Sequence, residues 1–124
     1  MFSIAPVGLR IFLESSAMAP RYFVYVVLLG QGVLIHKKFK DSNPNYLAGQ
    51  PCVYVGMTGK DPDTRFDQHK AGVKSNRWVR EYGEQLMMEL VDDLKQPMTY
   101  EDAKYQEVDV AIRLREQGLG VWQA

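Results

Sequence analysis

The sequence predicts a compact α/β or α+β layer, with elements in the order strand, strand, helix, short helix, strand, long helix. Three observations carry this. Runs rich in β-branched and aromatic residues stand at 22–29 and 52–56, Asp61-Pro62 marks a helix start, and a long stretch opened by Thr99 and stopped by Gly118 has helical apolar spacing. Strands mixed with helices around one core favour a layered arrangement.

The first run, Tyr-Phe-Val-Tyr-Val-Val-Leu-Leu, lies between Pro20 and Gly30 and reads as a largely buried strand. Residues 31–51 begin as a hairpin extension, pass through Lys37, Lys38 and Lys40, and end in the turn-rich Asp-Ser-Asn-Pro-Asn. The second strand follows at 52–56. Asp61 then offers an N-cap side chain and Pro62 a pre-set first helical position, so a helix runs to about Ala71 and ends at Gly72. Residues 75–82 read as a shorter helix and 86–91 as the third strand. Thr99 and Asp102 form a near capping box for the last helix, which runs to about Gln117.

At 124 residues and 46% hydrophobic content, the chain fits one globular domain with a modest core. Fifteen basic residues balance fifteen acidic ones, so bulk charge does not point to nucleic acid and local charge must carry any such reading. The single cysteine, Cys52, leaves no internal disulfide and no Cys-rich zinc site, which fits a reducing, cytoplasmic setting. It is expected to be a buried strand residue. No apolar run approaches the roughly 20 residues that span a bilayer. The mildly apolar segment up to Ala19 is interrupted by Arg10 and Glu14, which excludes a signal peptide. Residues 1–20 are expected as an arm or edge segment, 21–118 as the domain, and 119–124 as a tail.

Tyr54 to His69 holds a tyrosine, a glycine turn, an arginine and a histidine at the mouth of a strand-to-helix connection. Arg65 and His69 are four residues apart and share a helix face. One offers a charged planar fork for a phosphate, the other a proton exchanged near neutral pH. On the last helix, Tyr100, Ala103, Glu107, Val110, Ala111 and Leu114 fall in one arc about 100° wide, and Glu107 is its only charge. A carboxylate facing a core needs a partner. That partner is either an arginine at the core edge or a metal, or else the group is a general acid/base. Tyr105, Val108 and Ile112 form a second apolar stripe, suited to the N-terminal arm or a dimer contact. After His69, the residues Lys70, Lys74, Arg77 and Arg80 precede any acid, with Trp78 among them as either a core anchor or a stacking surface for nucleic acid.

Taken together, Phe23-Val24-Tyr25, Tyr54-Val55-Gly56, Arg65, His69 and Glu107 resemble the GIY-YIG nuclease superfamily, over residues 22–117 and in the right order. The resemblance implies a small three-stranded sheet flanked by helices, and metal-dependent endonuclease cleavage of DNA, as in repair or restriction. By that likeness Tyr25 and Tyr54 are paired hydroxyls at the scissile phosphate and Arg65 stabilises phosphate charge. His69 stands where the family carries a histidine or tyrosine, and Glu107 holds one divalent cation, Mg2+ or Mn2+. Lys60, Lys70, Lys74, Arg77 and Arg80 are the expected substrate-binding residues. A homodimer or larger complex would supply further recognition surface.

Three features depart from the family pattern. Phe23 replaces a typical glycine, and the 30–51 link is longer than in compact members and is read as a substrate-facing loop. After Gly118 only Gln123 stands where the family often carries a late asparagine, and it is not carried over to the site. The alternative to an active nuclease is a catalytically weak or inactive DNA-binding or protein-interaction module.

Overall fold

The computed structural model describes residues 19–124. The arm or edge segment expected at 1–20 lies almost wholly outside the described residues. Two central strands, β1 (Phe23–Leu29) and β2 (Cys52–Thr58), pair antiparallel, with Tyr25 opposite Gly56 and Val27 opposite Tyr54. Between them the chain forms a 3-10 turn, Gln31–Ile35, and a short helix α1, Lys37–Asp41. The expected hairpin extension and open basic loop are therefore replaced by helical turns. Phe39 is buried here, and the contacts it makes beneath the sheet account for the turn.

Helix α2 (Pro62–Lys70) begins as the sequence predicts. The Asp61 side chain accepts from the Thr64 N–H at 3.0 Å, and Gly72 follows the helix at φ +85. Its residues are almost all polar, and Phe66 and the buried His69 dock it on the core. Helix α3 (Arg77–Tyr82) starts two residues later than expected, because the Asn76 carboxamide caps it by accepting from the Trp78 N–H at 2.8 Å.

The third strand is displaced from its expected position at 86–91. Strand β3 occupies Gly83–Leu86 and pairs antiparallel with β1, while Met88–Val91 is a 3-10 turn. Gly83 sets the junction, since a Cβ there would lie 2.4 Å from the Val79 carbonyl oxygen. Only glycine lets helix pass directly into strand at that spacing. Helix α4 (Tyr100–Glu116) carries the predicted Thr99 cap, and Gly118 ends it at φ +91.

The expected tail forms strand β4 (Gly120–Gln123), parallel to β2. The sheet therefore has four strands, in the order β3-β1-β2-β4, and is mixed. Asn43 anchors this edge. Its carboxamide donates to Phe39 O at 2.9 Å and Val121 O at 3.1 Å, and accepts from the Val121 N–H at 2.8 Å and Arg115 Nε at 3.1 Å.

Strand alternation divides the core. Val24, Val26, Val53, Val55 and Val121 face α4, with Ala103, Val110, Ala111 and Leu114 over them. Tyr25, Val27, Leu29, Cys52 and Tyr54 face the other way, with Phe39, Trp78 and Val79. Burying each such aliphatic side chain contributes about 1.5–3 kcal/mol, so both layers hold the sheet. Trp78 is a core anchor and not a stacking surface, packed among His36, Phe39, Tyr82 and Trp122.

Candidate functional site

The polar residues of α2 meet the tyrosines on the face of the sheet away from α4. The Tyr25 and Tyr54 rings lie 6.1 Å apart between centroids, and His69 is 6.1 Å from the first and 5.5 Å from the second. Gly56 makes this pairing sterically feasible. A Cβ at that position would lie 2.8 Å from Cζ and Oη of Tyr25 and 2.9 Å from Cε2 of Tyr54.

His69 is 1% exposed, and both its ring nitrogens are engaged. The Asn76 backbone N–H reaches Nδ1 at 3.0 Å, and Nε2 lies 2.8 Å from the Tyr25 hydroxyl oxygen. A backbone N–H can only donate, so Nδ1 carries the lone pair and the proton sits on Nε2. His69 therefore donates to Tyr25. Burial, with the Arg65 guanidinium adding to it, pushes the imidazole down to about 4, which keeps it neutral.

Both tyrosine hydroxyls are raised. For Tyr25 burial is the main cause, the Tyr54 hydroxyl adds to it, and Arg65 opposes it. For Tyr54 burial again dominates, contact with Tyr25 lowers it, the Glu107 charge raises it, and Arg65 lowers it. The two phenols are thus unequal, Tyr54 being the one that receives help from its partner.

Arg65 is half-buried and fixed by neutral acceptors. Its guanidinium donates to Gln68 Oε1 at 3.3 Å, to Val73 O at 3.2 Å and to Lys74 O at 2.8 Å. Lys74 holds a left-handed backbone conformation, φ 44, which a lysine adopts only when its surroundings enforce it. No carboxylate neutralises Arg65 among the described residues.

Glu107 is 6% exposed and sits on the sheet-facing stripe of α4, between Ala103, Val110 and Ala111. No basic side chain pairs with it among the described residues, so the core-edge arginine is absent from that part of the chain. Burial raises its carboxyl, and a 2.8 Å hydrogen bond from Gln123 Nε2 to Oε1 opposes that rise. Its neighbours on α4 pack on the opposite face of the sheet from the tyrosines, and the link to them is its charge acting on Tyr54.

The donor set here is a single buried carboxylate, hydrogen-bonded by Gln123. A buried carboxylate without a basic partner is stabilised by a positive ion, and magnesium accepts one or two carboxylates with water and phosphate oxygens for the rest. No three His, Cys, Asp or Glu side chains gather as ligands among the described residues. A cation at Glu107 would therefore draw most of its shell from water and substrate.

The expected basic residues divide into two groups. Lys60 and Lys74 line one cleft of about 320 Å³ together with Arg65 and with Arg21, which the sequence reading did not single out. The others are engaged along α3. Lys70 donates to Arg80 O at 3.1 Å and Gly83 O at 2.9 Å, and Arg77 pairs with Glu81 at 3.3 Å while lying over the Trp78 ring. Arg80 reaches Ser75 Oγ at 3.0 Å and Glu81 at 3.8 Å. In the 30–51 link, Lys37 pairs with Asp41 and Lys38 lies over Trp122.

Sequence reasoning weighed Gln123 but left it out of the site, and it missed the backbone of Asn76. The first stands on a four-residue strand whose pairing is non-local, and the second acts through a group common to nearly all residues. Fold and site together define a small α+β domain with a cluster of two buried tyrosines, a buried histidine and a half-buried arginine. Comparison with protein-family models, curated proteins and solved structures found no match.

Proposed function

We propose that the chain is a metal-dependent endonuclease that hydrolyses phosphodiester bonds in DNA, of the GIY-YIG kind its motifs resemble. The observation that carries this is the convergence of Tyr25, Tyr54, Arg65 and His69 on one cluster, with the charge of Glu107 felt at Tyr54. Tyr25, Tyr54, Arg65 and His69 come from two strands and one helix, with Glu107 acting on Tyr54 from α4, and a structural role alone gives no reason for so many ionisable groups to gather.

In this reading Glu107 would hold a Mg2+ or Mn2+ ion, which when bound would stabilise the negative charge that develops on the phosphate and on the leaving oxygen. Arg65 adds fixed positive charge beside the phosphate. His69 holds the Tyr25 hydroxyl in place by donating to its oxygen, and Tyr25 in turn supports Tyr54. Tyr54 then positions the attacking water through its neutral hydroxyl, and the proton of that water leaves to solvent. Gln123 orients the Glu107 carboxylate, in the part of the chain where the family often carries its late asparagine.

The test is direct. Purified protein with Mg2+ or Mn2+ is expected to cut at least one of a panel of duplex, flap, nicked and single-stranded DNAs, and failure on all of them removes the proposal. One observation favours a second reading, a binding module without turnover: Tyr25 and Tyr54 are only 1% and 4% exposed. A Glu107→Ala protein that binds DNA as the parent does, with neither form cutting, would establish that reading.

A further inference from the structure

We infer that the cleft beside Arg65 is a second phosphate subsite, which holds the backbone phosphodiester next to the one being cut. This rests on the nuclease reading above and names how the same site grips its strand. The cleft is lined by Arg21, Lys60, Arg65 and Lys74, with Tyr22 and Thr58 between them, and encloses about 320 Å³.

Its charge is unbalanced. No carboxylate lines it, and none of its four basic residues forms an ion pair among the described residues. On α3, by contrast, Arg77 and Arg80 both share Glu81. Positive charge left unpaired in a concave surface draws an anion, and a cleft with four such groups suits a phosphate.

The walls are also held in place. The Lys60 N–H donates to Thr58 Oγ1 at 3.0 Å, which fixes the turn after β2 and leaves the Thr58 hydroxyl proton to donate elsewhere. Gly59 lies against the Tyr22 ring, where a Cβ would come within 3.1 Å. Arg21 stacks over that ring at 4.8 Å, and Arg65 ties down the Lys74 carbonyl at 2.8 Å.

Arg65 belongs to both places. It lines the cleft, and its charge acts on Tyr25, Tyr54 and His69. An anion in the cleft is therefore adjacent to the reacting cluster, as neighbouring phosphates on one strand are to each other. Contacts of this type carry no base information, so the subsite sets register and strand path but not sequence preference.

The experiment measures binding of a labelled single-stranded oligothymidylate in EDTA, at several salt concentrations, for the parent and for Arg21→Gln, Lys60→Gln and the double variant. Lys104→Gln, on the exposed side of α4, is the control for general charge. Each subsite charge removed is expected to reduce the slope of log affinity against log salt by about 0.7, or about 1.4 for the double variant, and the control leaves it unchanged. In cleavage, the double variant raises KM at least about tenfold with kcat retained. Inorganic phosphate is expected to bind at least about a hundredfold more weakly than the oligonucleotide, and equal affinity would mean a free-anion site instead.

An unchanged slope and KM in the double variant, with the parent cutting DNA, would overturn the subsite and leave the nuclease reading standing. A slope lost as expected, with no cleavage by any form, would leave a strand-phosphate site in the cleft and remove both the nuclease reading and the cleft's place beside a cut phosphate.

Discussion

His69 donates to the hydroxyl oxygen of Tyr25 across 2.8 Å, and the Asn76 backbone N–H at 3.0 Å fixes the ring in that role. The histidine in this site therefore cannot take a proton from Tyr25 as it stands. It orients, and burial with the Arg65 charge keeps it neutral, while protonation of Nδ1 would also oppose a backbone donor.

That neutrality has a stability consequence. The folded imidazole is lowered from 6.5 to about 4, so between those values the unfolded chain binds more protons than the native one. Stability is complete above pH 6.5 and falls as pH drops toward 4, by about 3 kcal/mol at 1.36 kcal/mol per unit. Urea unfolding at a series of pH values should show this loss. His69→Gln, less stable at neutral pH, should lack this loss with acidification, and an equal loss in both proteins would contradict the account.

The tyrosines should not be equivalent. Burial raises both hydroxyls, and contact between them adds to that rise at Tyr25 and opposes it at Tyr54. Tyr54→Phe is expected to reduce kcat by about 10²-fold, the scale on which a misplaced reacting group slows a reaction, and Tyr25→Phe by less. Single-turnover cleavage of a labelled duplex ranks them, and the reverse order would assign the positioning of the water to Tyr25.

Gly56→Ala tests the steric basis of the pair. Its new methyl would lie within 2.8 Å of the Tyr25 hydroxyl and 2.9 Å of the Tyr54 ring, so one ring must move. Overpacking of this kind costs about 1–3 kcal/mol. Denaturation should report that loss together with a fall in cleavage, and an active, equally stable variant would show that the rings need not meet.

Asn43→Ala should loosen the β4 edge. It removes four hydrogen bonds, two of them to the backbone of Val121, and leaves buried groups unpaired at a cost of about 2–3 kcal/mol. Hydrogen exchange should accelerate first at Val121 and its neighbours on β4. Gln123 is carried on the same strand, so cleavage should weaken too. Unchanged exchange at β4 would place its support elsewhere.

The parts of the site readable from sequence are those with local signals. Arg65 and His69 share a helix face because they are four apart, and Glu107 is conspicuous because it is the only charge in its arc. The helix ends at Asp61, Thr99 and Gly118 were legible because caps and stops act within a few residues. What was not legible depends on distant partners. Strand β4 is four residues long and takes its register from β2, some seventy residues away. Strand β3 begins where Gly83 fits against Val79, a contact between a helix and the strand it feeds. Arg21 joins Lys60 and Lys74 only because β1 and β2 pair with Phe23 opposite Thr58. The stripe of Tyr105, Val108 and Ile112 was legible and is exposed, Tyr105 at 68%.

The most direct test of the central claim is DNA cleavage by Glu107→Gln beside the parent, with Mg2+ or Mn2+ and with thermal unfolding followed on the same samples. Burial raises the Glu107 carboxyl above its ordinary value of 4.5, so the native state disfavours its charge. The variant should thus be at least as stable as the parent at neutral pH, and any difference should close as pH falls below that value. Cleavage should fall at least about a hundredfold, and the rise in Tm that Mg2+ gives the parent should disappear. A parent that cuts DNA and a folded Glu107→Gln protein that cuts it equally well would contradict the account.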